Sequence, residues 1–404
     1  MAQAGPRQVP EGRGKATPPS FEDVGCIGMV AGHRMGKGRP CIAVQTDALY
    51  YLRQDKLARR NAMTDTDIKA AFARVDLERF APRGQERFDG PIRTFSDADG
   101  TTLSAISDRT FLRWIVGELG DLRGKRIYEI GTGTGYLVSV LAQLAGSEGE
   151  IPLIFGCEII PDLFDQSQRA LIGTSGVRVQ LGDWVDRLPE LGLFDVIIAT
   201  SAFRGIPRLL RQALRVPGGL LAMPIAIPGG GDCFTVFHAT EEGLSTIDAR
   251  MSVSVPTTGS MADEDTWYIP LEKLVDPRPG SFVHIEIGQG FGHPVLDTLG
   301  FRSYLFGAEP KFHAVNLGGE RTFDLRNYAF GLIDGERRSG ALYHHHDMLA
   351  FGDLGLECAG ALAAHRERWK TNGRSDLSQV RYHIPWAAFD ADRLPSGYVA
   401  ALGG

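Results

Sequence analysis

The sequence predicts an α/β protein built on a doubly wound parallel sheet, and three observations carry that expectation. Apolar runs of strand length alternate with helix-length segments about every 25 residues between positions 126 and 226, as parallel strands with crossover helices require. The first of these runs enters its helix through three closely spaced glycines, in RIYEIGTGTGYLVSVL (126–141). A later one, FDVIIATSAF (194–203), is almost continuously apolar between Asp195 and Ser201, the pattern of a strand buried on both faces.

Taken in order, DALYYLRQDKLARR and TDTDIKAAFARV read as a helical hairpin, with Thr64 or Asp65 capping the second helix. Ser107 reads as the N-cap of a helix that turns Phe111, Ile115 and Leu119 toward the core and stops at Gly120. The run RIYEI is the first strand of the sheet. Gly131, Gly133 and Gly135 then let the backbone turn tightly and approach a ligand closely. PLIFGCEI makes a second strand ending at Glu158, and VRVQLGDWVDRL a third ending just before Asp183. FDVIIATSAF is the fourth strand. RLLRQALRVPGGLLAMPI is a helix closed by Pro217, Gly218 and Gly219, followed by another strand.

The glycine turn has the strand–turn–helix layout of a nucleotide site, and its details choose among ligands. A dinucleotide fingerprint G-x-G-x-x-G needs glycine at 136, where Tyr136 stands. Glu129 precedes the first glycine by two positions; it would repel a pyrophosphate and attract a cation. S-adenosyl-L-methionine (SAM) carries a sulfonium and an ammonium and no phosphate, so the local chemistry favours it over NAD. Glu158, at the end of the second strand, is placed to accept from ribose hydroxyls. Asp183 is placed to accept from an adenine amino group. A bare turn and two solvated acids remain the plainer readings of each feature taken singly.

From about Tyr50 to Thr257 the chain resembles the protein-L-isoaspartate O-methyltransferase family of SAM-dependent carboxyl methyltransferases. The resemblance rests on TDTDIKAAFARVDLERFAP, GTTLSAISDRTFLRWIV, YEIGTGTGYLVSVLA, CEIIPDL, LGDWVDRLPELGLFDVIIATSAFRGIP and VPGGLLAMPI, in that order and spacing. It implies a Rossmann-like class I methyltransferase fold with SAM as cofactor, held by Glu129, Gly131, Thr132, Gly133, Gly135, Tyr136, Glu158, Ile159, Gly182, Asp183 and Trp184. The family's T-I-S-A-P segment lines the peptide carboxylate site. Here it reads Thr102-Leu103-Ser104-Ala105-Ile106, with the serine kept and the proline missing, and P-H-M becomes Ile106-Ser107-Asp108. By resemblance Ser104 is the catalytic residue, and Thr102, Leu103, Ser107 and Ser201 contact substrate.

Composition is that of an ordinary globular protein, 43% hydrophobic and 23% charged with net charge −6, and no nucleic-acid or membrane partner is expected from it. No apolar run reaches the length of about 18 residues that a membrane span needs. The five scattered cysteines form no C-x-x-C pair and read as reduced thiols in a cytoplasmic protein without a structural zinc. His344-His345-His346-Asp347 is not expected to hold a metal, because consecutive strand residues face opposite ways.

Three regions follow. Residues 1–48 read as a partly disordered tail, 49–257 as the methyltransferase unit, and 258–404 as an added mixed α/β substrate-recognition domain. VPTTGSMADED (255–265) reads as the linker between the last two. In the added domain SFVHIEIG, KFHAVNL and RYHIPW read as strands, and LGLECAGALAAHRERWK as a helix with Leu356, Ala359, Leu362 and Ala363 inward. Chains similar to this one, extended at the same place, tailor ribosomally made peptides such as lanthipeptides, lasso peptides and graspetides. The extension and the altered TLSAIS segment favour a constrained, modified peptide carrying Asp or isoAsp as substrate. General isoaspartyl repair is the alternative, and a non-catalytic binding protein on the same fold a third.

Overall fold

The computed structural model describes residues 63–84, 90–98, 100–146, 151–262, 269–274, 282–288, 290, 298–317, 328–379 and 383–386. The expected tail, the first hairpin helix, Cys26 and Cys41 lie outside the described residues. Helix α1 (Asp65–Arg74) opens on Thr64, whose hydroxyl accepts from Asp67 N at 3.1 Å while Asp67 accepts from Thr64 N at 3.2 Å. That reciprocal pair satisfies two of the backbone donors a helix start leaves open. A hairpin of β1 (Ile92–Ser96) and β2 (Thr102–Ile106) leads to α2 (Arg109–Glu118). The cap of α2 is Asp108, not Ser107: its Oδ1 accepts from Thr110 N at 2.8 Å and Phe111 N at 3.0 Å. Both neighbours are good capping residues, and the aspartate takes the place, which leaves Ser107 to face the cavity described below.

The sheet then follows as β3 (Arg126–Ile130), α3 (Tyr136–Ala145), β4 (Leu153–Glu158), α4 (Pro161–Ala170), β5 (Val177–Leu181), α5 (Trp184–Arg187), β6 (Val196–Ala199), α6 (Arg208–Ala213), β7 (Leu220–Ala226), β8 (Asp232–Ala239) and β9 (Gly243–Ser252). Strands β5, β4, β3, β6 and β7 lie side by side in parallel, and β8 and β9 continue antiparallel. The connection reverses direction between β3 and β6, and ligands bind such sheets at the strand ends beside that switch. Both faces are covered, as the unbroken apolar runs require. Along β6, Val196 and Ile198 pack with Leu112, Ile115, Leu137 and Leu141 on one face, and Ile197 and Ala199 with Trp184, Phe203 and Leu210 on the other.

Beyond residue 262, β10 (Ile269–Pro270), α7 (Leu271–Leu274), β11 (Val283–Glu286), α8 (Leu299–Ala308), β12 (Phe312–Asn316), β13 (Tyr328–Asp334), β14 (Ser339–His344), β15 (Asp347–Phe351) and α9 (Gly355–Thr371) form a second layered unit. Its sheet runs β10-β12-β13-β14-β15-β11. The inward side of α9 carries Ala359, Leu362 and His365, whereas Leu356 and Ala363 face solvent, so the expected apolar stripe holds only in part. His345 sits in the β14–β15 turn at φ 53°, and His344 pairs across it with Asp347. Among the described residues no cluster of three or more His, Cys, Asp or Glu side chains could hold a metal, and no helix is long and apolar enough to cross a membrane.

The two units share core. Ile227, Cys233 and Ala249 of the first pack with Phe301, Leu305, Phe330 and Leu362 of the second. Arg302, buried on α8, donates from Nη1 to Pro228 O at 3.1 Å in the β7–β8 turn. Strand β16 (His383–Pro385) then returns to pair antiparallel with β9, adding the eighth strand to the first sheet.

Candidate functional site

Three strand ends converge on a cavity of about 90 Å³ lined by Glu129, Gly131–Thr134, Glu158–Ile160 and Thr200–Ser201, with the β2 segment 103–107 opposite. The turn after β3 is tied to β4 by Gly131 N and Thr132 N, each 3.0 Å from Cys157 O. Glu158 then takes Gly133 N on Oε2 at 2.7 Å and Ile160 N on Oε1 at 2.8 Å. Gly133 has φ 57°, and a Cβ there would stand 3.2 Å from Ser104 Oγ, so glycine lets the hydroxyl approach the turn. Glu129, on the last turn of β3, is 1% exposed and its Oε2 has no hydrogen-bond partner among the described residues.

Burial and the neighbouring charge of Glu158 hold the Glu129 carboxyl well above the ordinary range. Burial raises Glu158 as well, opposed by the backbone N–H groups it accepts. A buried carboxylate oxygen without a partner is costly unless a ligand supplies a donor or a cation. Each Glu158 oxygen keeps a lone pair for a further donor. This donor set fits a ligand that is cationic at one end and carries a diol beyond it, as SAM does.

Asp183 behaves differently from the expectation. It caps α5, accepting from Val185 N at 3.1 Å, and its Oδ2 accepts from Ser260 N at 2.7 Å and Ser260 Oγ at 2.8 Å. The place expected for an adenine amino group is thus met by Ser260. A small recess beside it is lined by Ile159, Gly182, Asp183, Trp184, Thr257 and Thr258. The segment read as a linker therefore packs over the site from residue 255 to 262. Its first residues bond like a strand, with Ala202 N to Val255 O at 2.8 Å and Thr257 N to Ala202 O at 3.0 Å. Asp232, fully buried, steers it by accepting from Ser252 Oγ and, at 2.6 Å, from Ser254 N.

Leu103, Ser104, Ser107 and Ser201 line the cavity, and Ser201 Oγ lies 3.0 Å from Thr257 Oγ1. Thr102 does not reach it; it pairs with Ser96 in the hairpin. Gly135 does not line it either; with φ 92° it starts α3, and a Cβ would press on Leu171. Tyr136 reaches the cavity edge but packs its ring edge-on to Phe72 and Phe80. Thr94, Thr200, Val255, Pro256 and Thr258 also line it and were not singled out from sequence. No Lys, Arg or His lines it among the described residues.

The family model described as Protein-L-isoaspartate(D-aspartate) O-methyltransferase matches residues 52–262. The protein-L-isoaspartate O-methyltransferase of Gloeobacter violaceus is 28% identical over 228 residues, which cover 56% of this chain and 98% of that one. The enzyme of the same name from Anaeromyxobacter dehalogenans strain 2CP-C is 30% identical over 198 residues, covering 48% and 90%. A solved protein-L-isoaspartate O-methyltransferase superposes with TM-score 0.48 at 18% identity, covering 84% of this chain and 98% of its own.

Proposed function

The chain belongs to the protein-L-isoaspartate(D-aspartate) O-methyltransferase family, and we propose that it methylates an aspartyl or isoaspartyl carboxylate in a dedicated peptide. It is a SAM-dependent O-methyltransferase on a class I Rossmann-like fold. The observation that carries the reading is the approach of Ser104 Oγ to the Gly133 turn, which puts a hydroxyl for the acceptor beside the cradle for the donor.

A side-chain carboxylate, with a reference pKa near ~4, is ionised at neutral pH and needs no base to become a nucleophile. It needs orientation and the removal of water. Ser104 donates to one carboxylate oxygen, and with no cationic side chain in the lining among the described residues, hydroxyls and backbone N–H groups do the orienting. Bound SAM supplies an electrophilic methyl group on a sulfonium. Glu129 would hold its cationic end and Glu158 its ribose. The ester so formed is activated, and the next residue's backbone nitrogen can close it to a succinimide, losing its proton and expelling methanol.

Two features support a dedicated, constrained peptide: the α/β unit that lies beyond the matched residues, and Ile106-Ser107-Asp108 in place of the family's P-H-M. We assign that unit to peptide recognition. General repair is a second reading, favoured by the names of the relatives. A repair enzyme reads little beyond the isoaspartyl linkage. A tailoring enzyme gains from a preorganised partner, which loses less entropy on binding. Mass spectrometry is expected to show poor methylation of several unrelated isoaspartyl peptides. It is also expected to show methylation and then net loss of water at an ordinary aspartate of a macrocyclic peptide. Fast turnover of the isoaspartyl peptides and none of the macrocycle would establish repair instead.

Ser104→Ala tests the reaction itself. Losing one transition-state hydrogen bond is expected to cost about 2–3 kcal/mol, or about 30- to 150-fold in kcat. SAM affinity should stay near wild type. Unchanged single-turnover rates would reduce Ser104 to a packing residue.

A further inference from the structure

We infer that Thr94 is a positioning residue for methyl transfer, aiming the Ser104 hydroxyl through a β-bulge. The inference rests on the carboxyl-methyltransferase reading and on Ser104 as the group that meets the acceptor. Pairing between β1 and β2 runs Ile92↔Ile106 and Arg93↔Ala105, then jumps to Phe95↔Ser104. Thr94 is therefore the extra residue on β1. The next pair, Ser96↔Thr102, leaves Leu103 extra on β2, so a second irregularity offsets the first. In a regular ladder, successive side chains alternate between faces. A bulge breaks that alternation and re-aims the side chain it displaces. Both displaced residues, Thr94 and Leu103, end up lining the cavity.

The result is a hydrogen bond from Thr94 Oγ1 to Ser104 Oγ at 2.8 Å. Its direction follows from the acceptor's chemistry. A carboxylate only accepts hydrogen bonds, so Ser104 must spend its one proton on the substrate. Ser104 Oγ is then left as an acceptor, and Thr94 fills that role as donor. A serine hydroxyl alone rotates freely about its Cβ–Oγ bond. With one lone pair of Oγ held by Thr94, its O–H is confined to the two remaining tetrahedral directions, beside a cavity whose other wall is the Gly133 turn. Orientation is the scarce quantity here, because no cationic side chain among the described residues lines the cavity to hold the carboxylate by charge.

The test uses the full-length enzyme, SAM and a synthetic isoaspartyl peptide, with methyl ester formation followed in single turnovers. Thr94→Val removes the hydroxyl at nearly constant volume. It is expected to lower the methyl-transfer rate about tenfold with little change in peptide KM, SAM affinity or melting temperature, and Thr94→Ser should restore the rate. In the double variant Thr94→Val/Ser104→Ala, the rate should match that of Ser104→Ala alone, because Thr94 acts only through Ser104. Fully multiplicative losses in the double variant would overturn the inference and make Thr94 an independent contact.

Wild-type turnover by Thr94→Val, alongside a clear loss in Ser104→Ala, would overturn Thr94 while leaving the Ser104 reading intact. Wild-type turnover by Ser104→Ala would remove that reading and the inference with it. A crystal structure of Thr94→Val gives a readout independent of substrate. Ser104 Oγ is expected to leave its present position, and an unmoved side chain would overturn the inference even where the peptide is a poor substrate.

Discussion

Glu158→Ala is expected to weaken SAM binding by at least a hundredfold and to lower the melting temperature of the unliganded protein. The carboxylate is 4% exposed and takes Gly133 N and Ile160 N on separate oxygens. Alanine leaves both N–H groups without their acceptor, at about 1–3 kcal/mol for each group that stays unpaired. Relief of the buried charge returns part of that cost, so the net loss of stability falls toward the lower end. Binding suffers twice, from the missing acceptor for ribose and from a turn free to leave the shape that brings Gly133 against Ser104. Thermal unfolding and calorimetry with S-adenosylhomocysteine check both effects. Wild-type values for both would mean that Glu158 only fills space at the strand end.

Binding of SAM is expected to expel a proton from Glu129. In the unliganded protein, burial and the Glu158 charge lift this carboxyl well above the ordinary value near 4.5. A cation brought against it favours the ionised form and lowers its pKa again. SAM affinity should therefore rise with pH, by at most tenfold per unit, from the ligand-bound pKa up to the raised one, and level off above it. Stability of the unliganded protein runs the other way. A raised carboxyl contributes fully below its unfolded pKa of about 4.3, and that contribution is lost as pH climbs through the raised value. Titrating SAM by calorimetry in two buffers of different ionisation enthalpy reads the proton directly. Glu129→Gln should abolish both the buffer dependence and the pH slope. Identical heats in both buffers across that range would show Glu129 already ionised before the ligand arrives.

Much of this architecture is legible in the sequence because period and punctuation are local. The nearly continuous apolar run of β6 announces a strand covered on both faces, the glycines announce the turn, and Thr64 announces the start of α1. Glu129 and Glu158 stand out because acids at buried strand ends have few other uses. What stayed hidden depends on pairing between distant segments. A bulge at Thr94 is a property of the register of two strands and leaves no mark in either one alone. Residues 255–262 share their Gly, Pro and hydroxyl content with ordinary linkers, and the backbone bonds of Val255 and Thr257 with Ala202 and those from Ser260 to Asp183 separate strap from spacer. Likewise α9 turns Leu356 outward because its partners lie along the line of Gly355, Ala359 and Leu362.

Strand β16 has a consequence for how the protein comes off the ribosome. Its partner β9 ends at Ser252, on the order of a hundred residues before His383 is made, so at about 5–20 residues per second the β9 edge waits roughly ten seconds for its neighbour. During that interval the nascent sheet offers a row of unsatisfied N–H and C=O groups to any passing strand, which is the usual opening for aggregation. Synthesis halted after residue 262 would release a chain with every matched family segment and the edge still bare. Yields on heterologous expression should therefore track how quickly translation reaches residue 386 and β16 covers Gly243–Ser245 of β9.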